Sequence, residues 1–110
     1  WGNDINAKRA DFSVSGLSQT RDVGYYAANP WGFFDMNGNV REWTADWYQA
    51  AYPTGNPVID PTGPASGSNR VLRGGSWRYD GSILRSAKRS GDTPGFRYYY
   101  IGFRVGFQQQ

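Results

Sequence analysis

The chain has 110 residues, 38% hydrophobic and 17% aromatic, with 15 glycines, six prolines and a formal charge of +3. It contains neither cysteine nor histidine, which excludes disulfides, thiol chemistry and any hydrolase or metal centre built on imidazole. The length suits one domain with a modest core, and no stretch is long and apolar enough to span a membrane.

Residues 1–30 are polar and turn-rich and read as loop. An aromatic block, Trp31 to Phe34, follows Asn29-Pro30. Asp35 to Asn39 predicts a tight turn, because Asn37-Gly38 suits positive φ. Val40 to Tyr48 is ambiguous: Val40, Trp43 and Trp47 fit helical spacing, while Trp and Val favour strands. Residues 52–69 hold four prolines and predict a loop, long for a compact domain.

Val71-Leu72 predicts a short strand ending at Gly74-Gly75. Residues 78–100 read as irregular apart from Ile83-Leu84. Ile101, Phe103, Val105 and Phe107 alternate with Gly102, Arg104 and Gly106, which predicts a strand with one buried face. If that strand continues back through Tyr98 to Tyr100, at least one of these rings faces inward. Trp43, Trp47, Trp77 and Phe103 are expected in the core, where a small domain needs volume. Arg73, Arg85, Arg89, Arg97 and Arg104 are expected to pair with acidic loops or to cap carbonyls. Residues 108–110 form a polar tail.

The modest net charge conceals an asymmetry. Residues 1–69 carry four basic and seven acidic residues, and residues 70–110 carry eight basic and two acidic ones. Such a split can signal nucleic-acid binding. Here the arginines are dispersed among glycines and aromatics instead of running together, which favours mutual neutralisation of the halves over a nucleic-acid partner.

Three blocks are informative together: Asp35-Met-Asn-Gly-Asn-Val-Arg-Glu-Trp43, Arg70-Val-Leu-Arg-Gly-Gly-Ser-Trp77 and Tyr100-Ile-Gly-Phe-Arg104. Their order and wording resemble the C-terminal half of the formylglycine-generating enzyme, or sulfatase-modifying factor, family. The resemblance implies an α+β, C-type lectin-like fold of mostly short antiparallel strands and long loops with little helix. It covers residues 1–107. The family's N-terminal half, with its main helices, is expected to be missing, so the chain resembles half a domain: a fragment, a reduced version, or a subunit completed by or assembled with another polypeptide.

Catalytic members of that family bind copper through two cysteines just after the Gly-Gly-Ser-aromatic block. The matching stretch here, Arg78 to Arg85, has no sulfur to hold a soft metal ion. Formylglycine generation is therefore not expected. A related branch performs oxidative chemistry without the pair, which leaves a cysteine-independent oxidoreductase as an alternative. A structural subunit of a surface or fibre assembly is another.

The resemblance also implies calcium sites. One comprises the Asp35 and Glu42 carboxylates with the Gly38 and Val40 carbonyls, a set of hard oxygen donors on a glycine-containing turn. A second maps to Asn6, the Ala7 carbonyl, Ser15 and the Leu17 carbonyl. Ser15 stands where the family carries aspartate, and Asp11 is placed to compensate. Calcium binding favours an extracellular, cell-surface or periplasmic location, where the ion is abundant.

Residues 78–100 read as a ligand-facing surface, with Arg78, Tyr79, Asp80, Ser82, Asp92, Phe96, Tyr98, Tyr99 and Tyr100 as contact residues. Tyr offers rigid amphipathic area at low entropic cost, Ser adapts around it, and Arg adds planar donors. The spacing resembles the variable segment of lectin-fold proteins diversified by retroelements, and every residue in this set is encodable by a codon ending in a pyrimidine. The expected function is a non-catalytic, calcium-stabilised module binding a protein, peptide or glycan.

Overall fold

The computed structural model describes residues 5–52, 59 and 61–106. Four short strands form one sheet in the order β3-β2-β1-β4. They are β1 (Arg41–Trp47), β2 (Arg70–Arg73), β3 (Ser90–Asp92) and β4 (Ile101–Gly102). Ser13–Ser15 make one 3-10 turn, and no α-helix occurs among the described residues. No helix there is long and apolar enough to cross a membrane.

The ambiguous stretch after Val40 is a strand. Its β-branched and aromatic residues find a partner in β2, with Glu42 opposite Arg73 and Trp43 opposite Leu72, antiparallel. The register then slips before Trp47 meets Arg70. Arg70 resolves this bulge: its guanidinium donates to the Ala45 carbonyl and lies 3.5 Å from the Trp47 ring centroid. The Ala45 carbonyl thereby gains a donor where the register slips, and the cation holds the Trp47 ring.

β2 is central, and Val71 and Leu72 are each 1% exposed. Apolar side chains on successive residues suit a strand covered on both faces. Beyond the sheet, Ala10, Phe12 and Leu84 make a small buried cluster with Ile5 against it. Apart from the 3-10 turn, residues 5–30 are irregular, as expected, yet they contribute Phe12, Asp11 and Tyr26 to the interior.

β3 departs from the sequence reading, which gave residues 78–100 no strand. Ser90-Gly91-Asp92 carries no apolar alternation, and it pairs antiparallel with Leu72, Val71 and Arg70. Gly91 explains the fit. A Cβ there would sit 2.5 Å from Tyr48 Cγ, so only glycine lets the Tyr48 ring lie on the β3 backbone.

β4 corrects a second expectation. Only Ile101 and Gly102 pair, parallel to Arg41 and Glu42. Phe103 and Val105 are 76% and 71% exposed, so the alternating run has no buried face among the described residues, and Phe103 is not core. Phe107 and the tail lie outside the described residues. The strand also does not continue back through the tyrosines. The Ile101 amide donates to the Tyr98 carbonyl at 3.0 Å and closes a turn there. Trp43, Trp47 and Trp77 are half-buried. Of the proline-rich loop, residues 53–58 and 60 lie outside the described residues, and the rest carries no strand up to Arg70.

Candidate functional site

The turn before β1 is sewn down from several directions. Positive φ falls at Asp35 (53°), Gly38 (87°) and Asn39 (59°), where the sequence pointed to Asn37-Gly38. The Gly38 amide donates to the Gly74 carbonyl at 2.8 Å, and the Asn39 amide to the Asp11 carbonyl at 2.8 Å. A Cβ on Gly38 would lie 2.3 Å from that Asp11 oxygen, so the glycine is required by both conformation and space. The Asn39 side chain bridges the Arg21 amide and carbonyl, and its own carbonyl accepts from the Trp77 amide.

This turn and β1 form a cleft of about 400 Å³. Asp35, Gly38, Val40 and Glu42 all line it, together with Phe103 and Arg104. The four residues of the first calcium set are thus brought to one cavity. Arg104 already holds a share of it. Its Nε and Nη2 donate to the two Glu42 carboxylate oxygens at 2.6 Å each, Nη1 to the Phe34 carbonyl at 3.0 Å and Nη2 to the Asp35 carbonyl at 3.2 Å. The Glu42 carboxylate raises the pKa of this guanidinium above its ordinary value, with burial pulling the other way. The Asp35 carboxylate accepts from the Gly24 amide at 2.7 Å.

The second set is more dispersed. Asn6 is engaged in its own turn, its carbonyl accepting from the Arg9 and Ala10 amides and its side-chain oxygen from the Lys8 amide. Ser15 donates its hydroxyl to Asp11 Oδ1. Asp11 is 1% exposed, and its Oδ2 is buried without a partner among the described residues. Ala7 and Leu17 are half-buried. An unpaired carboxylate oxygen in the interior is rare and points to an ion or water that completes it.

Of the sets expected to face a ligand or ion, the aromatic residues of 78–100 gather most clearly. Six rings are in continuous contact. Phe96 stacks on Tyr98 at 5.7 Å, Tyr98 meets Tyr99 at 4.4 Å and Tyr100 at 4.6 Å, Tyr100 abuts Tyr79 at 5.6 Å, and Trp77 stacks on Tyr99 at 5.7 Å. Tyr98 and Tyr99 are 42% and 59% exposed. Arg78 donates to the Tyr99 hydroxyl at 2.6 Å and lies 5.6 Å from the Tyr100 ring. The hydrogen bond that the Tyr100 phenol shares with Tyr79 favours its protonated form and, with burial adding, pushes it above its ordinary pKa, against the opposing pull of Arg41 and Arg78.

Asp80, Ser82 and Asp92 serve local turns. Asp80 accepts from the Ser82 amide at 2.8 Å, and its Ser82 hydrogen bonds hold it below the usual carboxylate range. Asp92 accepts from the Thr93 amide. Two members of the surface escaped the sequence reading. Trp77 was assigned to the core, and Arg41, whose guanidinium lies 4.2 Å from the Tyr79 ring, is far from the segment in sequence. The parallel β1–β4 pairing delivers it, with the Arg41 amide donating to the Tyr100 carbonyl at 2.9 Å. No local pattern announces such a contact. The carbonyl-capping role expected of the arginines holds for Arg73 on Ser86, Arg85 on Ser82 and Arg89 on Ala50.

Residues 1–108 match the family model described as the sulfatase-modifying factor enzyme 1-like domain. The chain belongs to that family. Among its relatives are the serine/threonine-protein kinase pkn1 of Chlamydia caviae, 41% identical over 94% of this chain and 16% of the relative, and the formylglycine-generating enzyme of Streptomyces coelicolor, 40% identical over 81% of this chain and 29% of the relative. The solved structure of Treponema denticola variable protein 1 superposes with a TM-score of 0.80 at 39% identity, covering 87% of this chain and 34% of that one. The C-type lectin-like fold of the formylglycine-generating type is therefore the fold of this chain. The chain spans less than a third of the length of these two curated relatives. This sulfatase-modifying factor domain contains no cysteine.

Proposed function

We propose that this domain is a non-catalytic binding module whose ligand, a protein, peptide or glycan, rests on the rings of Tyr98, Tyr99 and Tyr100. The observation that carries the reading is the contiguous six-ring surface, kept partly open and braced by Arg78. Preformed aromatic area of this kind binds with little ordering cost. The absence of cysteine leaves the chain without the thiolates that the family's copper chemistry uses.

Calcium has a structural part in this proposal. Asp11, through its open Oδ2, and Ser15 would hold one ion near Asn39. Asp35, Gly38, Val40 and Glu42 would hold another, with Glu42 shared between the ion and Arg104. Calcium would supply charge neutralisation and tether the loops beneath the ring surface; it would carry out no chemistry. Such weak sites fill in the millimolar calcium of an extracellular or periplasmic setting. Because the chain corresponds to part of each longer relative, the module is proposed to work joined to further polypeptide.

The test is a display-library screen against the purified protein, repeated with the Tyr98→Ala/Tyr99→Ala/Tyr100→Ala variant. Ligands recovered on the parent should lose at least tenfold in affinity on the variant, whose thermal unfolding is followed in parallel. Equal binding by a folded variant removes this face from the function.

A further inference from the structure

We infer that the ring surface receives an acidic, extended peptide segment, with Arg41 and Arg78 as its carboxylate receptors. This rests on the binding-module reading and specifies the ligand class. The two guanidiniums flank one tyrosine pair: Arg41 lies over Tyr79 at 4.2 Å, Arg78 lies 5.6 Å from Tyr100, and Tyr79 and Tyr100 are themselves 5.6 Å apart. Both cations act on the same Tyr100 hydroxyl. Among the described residues, neither has a carboxylate partner. Two uncompensated cations held together against aromatic faces form a receptor of fixed geometry. A guanidinium resting on a ring can still present donors of its planar edge to a carboxylate, and Arg78 commits only Nη1, to the Tyr99 hydroxyl.

The nearby acids do not fill this role. Asp80 is committed to the Ser82 amide and Asp92 to the Thr93 amide. The half of the chain that builds most of the surface, residues 70–110, has eight basic and two acidic residues, so the field there favours an anionic partner.

The ring geometry selects peptide over nucleic acid. Tyr79 meets Tyr100 at 80°, and Tyr99 meets Tyr100 at 81°. These three rings spend their faces and edges on one another. Base stacking needs open parallel faces and a track of cations along the phosphates. A peptide backbone instead finds donors and acceptors in the tyrosine hydroxyls, and its carboxylates find the two arginines.

The probe is a fluorescein-labelled peptide alternating Glu and Pro, read by anisotropy against a matched Gln-Pro peptide and an oligothymidylate. The Glu-Pro peptide should bind at least tenfold more tightly than either. Raising the salt from about 0.01 to about 0.15 M, which shortens the Debye length from about 30 to about 8 Å, should weaken it severalfold. The Arg41→Gln/Arg78→Gln variant should lose about tenfold or more, as expected for charge-assisted hydrogen bonds. The equally charge-reduced Arg85→Gln/Lys88→Gln variant should bind as the parent does. No binding by the Glu-Pro peptide, equal binding by the Arg41/Arg78 variant, or tighter binding of oligothymidylate overturns the inference. Binding of the neutral peptide that depends on Tyr98 and Tyr99 also overturns it, while leaving the binding-module reading in place.

Discussion

Asp11 illustrates how one residue can carry an unfinished interaction. Its backbone oxygen supports the Asn39 amide and its Oδ1 takes the Ser15 hydroxyl, yet Oδ2 is buried without a partner among the described residues. A buried charge with an open lone pair costs stability unless a cation completes it. Calcium at a hundredfold excess over its dissociation constant should therefore raise unfolding stability by about 2–3 kcal/mol. Asp11→Asn should leave the metal-free protein equally stable or more so, and should abolish the calcium increment. Chemical denaturation with and without the ion checks both, and an unchanged increment in the variant would show that Asp11 is no ligand. The sequence named Ser15 for this position and Asp11 as its compensation. The side chain's isolation became visible only when its neighbours were in place.

At the scale of elements, the strands differ in how much of their pairing their own residues announce. β2 does so openly, because Val71 and Leu72 are apolar on consecutive positions and both end up covered. β1 was divided between two periodicities until β2 supplied a partner for Trp43. β3 has no hydrophobic signature, and its place depends on the absence of a side chain at Gly91 beneath Tyr48. Gly91→Ala should force that ring aside, at a cost of about 1–3 kcal/mol typical of overpacking. Amide exchange should show the loss concentrated in residues 90–92. Exchange that is unchanged there would mean the Tyr48 ring accommodates the methyl group freely. β4 is the reverse case, with a clean alternating pattern and almost no ladder. Period two reports a tendency to be extended with one apolar face, but burial of that face depends on what packs against it.

The molecule as a whole leaves apolar groups uncovered around one end of its sheet. Phe103 and Val105 follow the two paired residues of β4, and Phe34 lies across the cleft at 47% exposure. Exposed apolar groups clustered in this way mark contact surfaces. This agrees with a chain that covers only part of each longer relative. If the module works joined to further polypeptide, Phe103→Ser/Val105→Ser should weaken that association, or self-association of the isolated chain, with little change in the stability of the monomer. Sedimentation velocity on parent and variant distinguishes this from a face with no partner, for which both proteins would run alike as monomers.

Composition and wording alone determined the family, the strand-and-loop character, the absence of thiol and imidazole chemistry, and the aromatic segment that builds the ring cluster. These are local properties: a missing residue type is missing in any fold, and neighbouring tyrosines stay neighbours. The tertiary structure decided what depends on contact between distant segments. It brought Arg41 beside Tyr79 across a parallel pairing, set Arg104 against Glu42, isolated the Asp11 oxygen, and left Phe103 in solvent. Burial, charge pairing and contact between a ring and a distant cation are relations between side chains that the chain order keeps apart, so they came into being only with the fold.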